Sequence, residues 1–149
     1  MAAALCLLAR DRQGPAIALQ VLINPSTDLT GAGTLEPQGD SGDAMRWFAT
    51  QYLPNSKEAV NPYASPILAK DLKKLPPAVV ILAEKDDLLA DGQKYADRLI
   101  AEGIPTKIYI QKGIGHLAGN GARASAMAQE SLNVAVEALR KAFYTLDKN

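Results

Sequence analysis

The sequence has few of the side chains that form covalent cross-links and structural metal sites. Its 149 residues include one cysteine and one histidine. Cys6 therefore has no partner for an internal disulfide, and a zinc site built from Cys and His ligands cannot be assembled. These absences weigh against a disulfide-rich secreted domain and against a structural metal.

The chain also lacks net charge and long apolar runs. The 16 Lys and Arg residues balance 16 Asp and Glu, so the formal net charge is +0, which argues against nucleic acid or another polyanion as a partner. The apolar run Ala2–Ala9 is much shorter than the roughly 20 residues of a membrane span. Its charged residues follow the run, whereas those of a signal peptide precede it. We therefore expect a cytoplasmic protein without a membrane span.

The remaining composition is that of a globular domain, with 48% hydrophobic and 21% charged residues. Three apolar or alternating segments are of strand type: Ala16–Ile23, Ala78–Ala83 and the run that Pro105 opens. Four segments have helical periodicity or helix boundary signals: Ala2–Arg12, Asp43–Leu53, Leu89–Glu102 and Ala122–Leu146. We expect a long loop over 26–42 and an apolar face of Met45, Phe48 and Tyr52 on the second helix. The alternation predicts an α/β fold with about three parallel strands and flanking helices.

Titratable side chains follow two of these strands directly. Glu84, Asp86 and Asp87 come after the second strand, and His116 comes after the third. Because ligands of open parallel sheets bind at the carboxyl ends of the strands, we expect a carboxylate and the imidazole to meet at this edge. An acid that accepts a hydrogen bond from imidazole fixes its tautomer and stabilises the imidazolium. The order Asp then His also fits that of the α/β-hydrolases.

Acidic residues near the start of a helix have an alternative role. For Asp87 and Asp91, capping of the helix that begins near Leu89 is the better interpretation.

Four segments resemble successive blocks of the hormone-sensitive-lipase family of α/β-hydrolase esterases. They are Asn61–Pro66 (NPYASP), Leu75–Ala78 (LPPA), Ala83–Leu88 (AEKDDL) and Gly113–His116 (GIGH). The resemblance implies a partial α/β-hydrolase fold and hydrolysis of short acyl esters without a cofactor. It also implies that Asp86 is the triad acid and His116 the base.

The chain departs from the family pattern at two positions beside these residues. Asp87 stands where the family usually has proline, and Leu117-Ala118 stand where Gly-Phe usually follows the histidine. The first difference bears on how rigidly Asp86 is held, and the second on the geometry of the base.

An acyl-transfer enzyme of this type also needs a serine on a Gly-x-Ser-x-Gly elbow and donors for the oxyanion. The sequence has no such pentapeptide, since Gly39-Asp40-Ser41-Gly42 is followed by Asp43. Ser41 more plausibly begins the next helix. The family pattern implies that the serine lies a few residues before Met1. On this reading, residues 1–149 are the C-terminal portion of one catalytic domain, and the chain alone is inactive.

Without the strand that carries the elbow, the first strand has an apolar edge with unpaired backbone groups. We therefore expect the chain to self-associate or to pair with the N-terminal half.

Two other functions remain open. The first is a nucleotide-binding α/β module: Gly113-x-Gly115-x-x-x-Gly119 lies between a strand and a helix, where backbone N–H groups are able to bind phosphate, but the spacing differs from Gly-x-Gly-x-x-Gly. The second alternative is a truncated, non-catalytic hydrolase that acts as an interaction partner. A Gly-x-Ser-x-Gly segment encoded upstream of Met1 would favour the enzyme over this alternative.

Overall fold

The computed structural model describes residues 1–30, 40–116 and 126–146, and the side chains of 1–30, 46–116 and 129–144. Four α-helices and three β-strands lie in these segments, together with short 3-10 helices at Ser56–Val60 and Pro66–Leu68. In chain order they are α1 (Ala2–Asp11), β1 (Gln20–Ile23), α2 (Asp40–Tyr52), β2 (Ala78–Ala83), α3 (Leu89–Ala101), β3 (Thr106–Gln111) and α4 (Ala126–Leu146).

The strands form one parallel sheet in the order β1-β2-β3. Gln20 pairs with Ala78 in the first ladder, and Ala78 pairs with Thr106 in the second. All six residues of β2 are buried, as its continuous apolar sequence predicts for a central strand covered on both faces. The prediction of three parallel strands with flanking helices is confirmed.

Strand β1 is shorter than the predicted Ala16–Ile23 and begins only at Gln20. Its ladder starts where the Gln20 amide donates to the carbonyl oxygen of Pro77 (2.9 Å). Pro76 and Pro77 have no N–H to donate, so β2 offers no regular pairing for the residues before Gln20. The apolar run is therefore longer than the strand.

Helices cover both faces of the sheet. Helices α1 and α3 pack on one face, where the buried cluster includes Ala3, Cys6, Leu7, Leu22, Val80, Leu82, Tyr95, Ala96 and Leu99. Helix α4 packs on the other face, where Ala135 joins Val79 and Ile81. Alternate residues of β2 thus enter different cores.

Helix α2 differs from its prediction in start and in orientation. It begins at Asp40, so Asp43 lies inside it and is not its N-cap. Phe48 and Tyr52 are 58% and 50% exposed, whereas Ala49 is buried. The predicted apolar face is therefore wrong for these two aromatic residues, and the side chain of Met45 lies outside the described residues. The side of the helix that contains Ala49, one position after Phe48, faces the protein instead.

The later elements follow the predictions closely. Helix α3 ends at Ala101, one residue before its predicted end, and Gly103 leaves it with a left-handed φ of +81°. Helix α4 is described from Ala126, so the predicted start at Ala122 lies outside the described residues. Among the helices described, none has the length and apolar character that a membrane crossing requires.

Candidate active site

Asp86 lies in the turn that joins β2 to α3. Its Oδ1 accepts a hydrogen bond from the Leu88 amide (3.0 Å), and its backbone oxygen accepts one from the Leu89 amide (3.0 Å). Its own amide donates to the carbonyl oxygen of Ala83 at the end of β2 (3.2 Å). The side chain is only 3% exposed. The turn therefore fixes one carboxylate oxygen and leaves Oδ2 for another partner.

His116 provides that partner. Its Nδ1 lies 2.9 Å from Oδ2 of Asp86, and its side chain is 46% exposed. Beyond β3, the Ile114 carbonyl oxygen accepts from the Lys85 amide (2.9 Å), which holds the histidine loop against the turn. The structure thus brings together the acid and the imidazole that the sequence singles out.

The contact selects one chemical form of the imidazole. An ionised carboxylate accepts hydrogen bonds but does not donate them, so Nδ1–H is the donor in this pair. In the neutral ring, Nε2 then carries the lone pair and is the atom able to take a proton. Because the His116 side chain is half exposed, this arrangement has the chemistry of a general base oriented by a buried acid.

Asp91 has a different role from the helix cap predicted for it. Leu88 is the N-cap of α3 and makes no side-chain cap bond. The Asp91 carboxylate instead accepts from the Thr27 amide (2.7 Å), the Thr27 hydroxyl and the Asp28 amide (3.2 Å). Asp91 therefore joins α3 to the loop after β1. The cap prediction for Asp87 is also wrong, since no cap bond comes from its exposed side chain.

Glu84 is a second residue whose role the sequence did not reveal. Its Oε2 accepts a hydrogen bond from the amide of Gly113 (2.6 Å). This arrangement disfavours the phosphate-binding alternative, because a carboxylate already occupies the first glycine N–H and repels anions. Gly119, the last glycine of that pattern, lies outside the described residues. The sequence contains one indication of this contact. Glu84 directly follows β2, and Gly113 comes two residues after the end of the neighbouring strand β3.

The remaining candidate, Ser41, lies in the first turn of α2, as expected of a residue that begins this helix. Its side chain is outside the described part. Leu117-Ala118, the departure beside the histidine, also lie outside it.

A cavity of about 410 Å³ separates α2 from the loop after β1. Leu29 and Thr30 line one side, and Ala49 and Leu53 line the other. The Leu29 amide is fixed by the buried Ser65 hydroxyl (2.8 Å).

Within residues 1–30, 40–116 and 126–146, no three His, Cys, Asp or Glu side chains gather as metal ligands.

Comparison with known proteins identifies the family of the chain. A family model of the α/β-hydrolase fold, Abhydrolase_3, matches residues 1–119. The chain belongs to this α/β-hydrolase family. The carboxylic ester hydrolase LipN of Mycobacterium tuberculosis is 35% identical over an alignment of 130 residues that covers 78% of this chain and 34% of LipN. An ethyl acetate hydrolase of Pseudomonas putida is 30% identical over an alignment of 139 residues that covers 90% of this chain and 44% of the hydrolase.

Solved structures give the same family. A hyperthermophilic esterase from Pyrobaculum calidifontis superposes with a TM-score of 0.81 at 35% identity, covering 94% of this chain and 48% of the esterase. The chain thus spans between a third and a half of the length of these relatives.

Proposed function

We propose that this chain supplies the acid and the base of a Ser-His-Asp triad in a carboxylic ester hydrolase that acts on short acyl esters. The observation that carries the proposal is the 2.9 Å contact between His116 Nδ1 and Asp86 Oδ2. Further support comes from the family match and from the ester hydrolases among the relatives. A metal or organic cofactor has no step in this chemistry.

In the proposed reaction, His116 is general base and then general acid, and Asp86 orients it. Nε2 of His116 takes the proton of the serine hydroxyl while the serine oxygen attacks the ester carbonyl carbon. The imidazolium then gives this proton to the departing alcohol, which leaves an acyl-enzyme. In the second half, His116 takes a proton from water while the water oxygen attacks the acyl carbon. It then returns this proton to the serine oxygen as the bond to the acyl group breaks and the carboxylic acid is released. Asp86 holds the Nδ1–H tautomer and stabilises the imidazolium throughout.

We propose further that residues 1–149 form the C-terminal portion of one catalytic domain. The chain contains no Gly-x-Ser-x-Gly segment, and the relatives are two to three times as long as the matched region. The nucleophile and the oxyanion donors would then come from a preceding segment. The chain alone is expected to have little or no esterase activity.

The test joins this chain to the upstream half of its own gene product and measures turnover of p-nitrophenyl acetate. In a serine protease, replacing the triad aspartate by asparagine gives the wrong imidazole tautomer and lowers kcat by about 10⁴-fold. A loss of similar order is expected for Asp86→Asn. His116→Ala is expected to be at least as inactive. Asp87→Asn is the matched control, since it changes a neighbouring exposed carboxylate, and it should retain activity. Near-wild-type rates in His116→Ala would refute the proposal.

The outer edge of β1 is the proposed contact with the rest of the domain. In the described sheet, β1 is paired only with β2, and Ile23 at its end is 45% exposed. An apolar edge strand with free backbone groups favours pairing with a further strand. Size-exclusion chromatography should therefore show self-association of the chain alone, and a monomer once the upstream half is present. A well-behaved monomer of the chain alone, at concentrations in the range of tens of micromolar, would contradict this.

The proposed location is the cytoplasm. Cys6 is a free, buried cysteine, which suits a reducing compartment. Fractionation of the source cells with an antibody against the chain tests this, and recovery in a secreted or membrane fraction would contradict it.

A further inference from the structure

The segments after β2 and β3 continue side by side beyond the sheet. The Glu84 amide donates to the Gln111 carbonyl oxygen (2.9 Å), and the Lys85 amide donates to the Ile114 carbonyl oxygen (2.9 Å). Between these two bonds the chain turns at Gly113, which has a left-handed φ of +73°. His116 lies three residues after Gly113. The geometry of this turn therefore determines the position of the His116 backbone and, with it, that of the imidazole.

The turn is held by one side chain. Oε2 of Glu84 accepts from the Gly113 amide at 2.6 Å, a bond to a charged acceptor and therefore stronger than a bond between neutral groups. The residue Glu84 is exposed, so it does not contribute to the core. Its carboxylate is thus placed to fix the turn rather than to support the fold.

We propose that Glu84 is a positioning residue for His116: by holding the Gly113 amide, it keeps the imidazole at Asp86 in the Nδ1–H tautomer. An effect of Glu84 on catalysis rests on the proposed esterase function, whereas its effect on the position and tautomer of the His116 imidazole does not. Without this bond, the turn at Gly113 loses the acceptor of its amide, while the backbone bond at Ile114 remains. A half-exposed imidazole then spends part of its time away from the buried carboxylate.

The single histidine makes a direct test practical. In the ¹⁵N NMR spectrum of the full 149-residue chain, the two histidine side-chain nitrogens belong to His116 alone. The spectra of wild type and variants are recorded at one common pH of about 9. Wild type should show the Nδ1–H tautomer. Asp86→Asn serves as the reference for loss of this tautomer.

Three variants separate the hydrogen bond from the charge. Glu84→Ala removes both and should shift the nitrogens toward the values of Asp86→Asn. Glu84→Gln keeps an oxygen acceptor but loses the charge, so it should retain the wild-type tautomer. Asp87→Ala removes a neighbouring exposed charge from the same turn and should leave the spectrum unchanged. A wild-type spectrum for Glu84→Ala, or an equal shift in Glu84→Gln and Glu84→Ala, would overturn the proposal.

A measurement on wild type covers the case in which Glu84→Ala does not fold. Hydrogen exchange at the Gly113 amide should be slow relative to that of the exposed Lys112 amide, because only the first donates to Glu84. Equal exchange of the two amides would overturn the proposal.

In the enzyme completed with its upstream half, Glu84→Ala should lower kcat with little change in KM. If the tautomer responds to Glu84 while activity is independent of His116, the positioning role stands and the esterase function fails.

Discussion

Nδ1 of His116 lies 2.9 Å from Oδ2 of Asp86, but the two side chains differ greatly in exposure, at 46% and 3%. The acid is therefore part of the folded turn, whereas the imidazole is the more accessible member of the pair. In the proposed triad, such a pair would keep the orienting carboxylate rigid and leave the imidazole accessible to a substrate. The two residues should consequently make unequal contributions to stability.

Asp86→Ala is expected to lower the free energy of unfolding by about 1–3 kcal/mol, because the Leu88 amide loses its acceptor in a part-buried hydrogen bond. His116→Ala removes a half-exposed ring and should stay within about 0.5 kcal/mol of wild type. Urea denaturation followed by circular dichroism measures both changes. Equal destabilisation by the two variants would show that the pair, and not the turn, stabilises the protein.

The bond between Asp91 and Thr27 predicts a second stability effect. Thr27 is buried, and its amide and hydroxyl both donate to Asp91. Asp91→Ala leaves these donors without an acceptor and should cost about 2–3 kcal/mol, in the range for hydrogen bonds to charged groups. Asp97→Ala is the control, since Asp97 lies on the same helix and its exposed carboxylate accepts from Gln93. Urea denaturation should show a much smaller loss for this variant.

The same pair can be tested by coupling. In a double-mutant cycle of Asp91→Ala with Thr27→Val, the second change should cost little once the first is present. Additive losses would mean that the two side chains do not act on each other.

Tyr95 predicts a pH dependence. Its ring is fully buried, and its hydroxyl has no hydrogen-bond partner within the described part of the chain. Burial, followed by the nearby Cys6, raises the pKa of Tyr95 above its ordinary value of 10.0. The native state then keeps its proton at a pH where the unfolded chain loses it. Stability from this group is therefore complete below pH 10 and declines as the pH rises above that value.

Tyr95→Phe should remove this alkaline decline and, at neutral pH, raise the free energy of unfolding by up to about 1 kcal/mol, since an unpartnered buried hydroxyl is removed. Tyr63→Phe is the control, because the Tyr63 hydroxyl donates to Asp11 (3.0 Å) near the surface. Its loss should lower stability slightly. Urea titrations at pH 7 and at alkaline pH test both variants, and a large loss in Tyr95→Phe at pH 7 would contradict the expected gain.

The sequence predicts those parts of the fold that depend on local pattern. The continuous apolar run Ala78–Ala83 forms the fully buried central strand, and Gly103 ends α3 near its predicted boundary. The meeting of Asp86 with His116 was also predictable, because parallel strands bring the residues after them to the same edge.

The errors come from contacts between distant segments. Strand β1 is short because Pro76 and Pro77, far away in the sequence, have no N–H to pair with it. Asp91 was interpreted as a cap because a first-turn acid usually has that role, whereas its partner is Thr27, 64 residues earlier. Helix α2 has apolar residues on two faces. Their spacing in the sequence does not decide which face packs against the rest of the protein.

The close approach of α3 to β2 gives a final prediction at Gly92. A methyl group on Gly92 would lie 2.5 Å from Cδ2 of Leu82 and 3.3 Å from the ring of Pro25. Leu82 is 1% exposed and has little room to move. Overpacking costs about 1–3 kcal/mol, and the gain in helix propensity recovers about 1 kcal/mol. Gly92→Ala should therefore lower stability by up to about 2 kcal/mol.

Gly14→Ala is the control, since its methyl group would meet Ala9 at an ordinary 3.5 Å, and it should be close to neutral. Leu82→Val removes the atom with which the methyl group collides, so in the Gly92→Ala background it should cost less than it does alone. Urea denaturation of the four proteins of this cycle gives the coupling energy. Additive effects, or a stabilising Gly92→Ala, would mean that helix and strand are further apart than the structure shows.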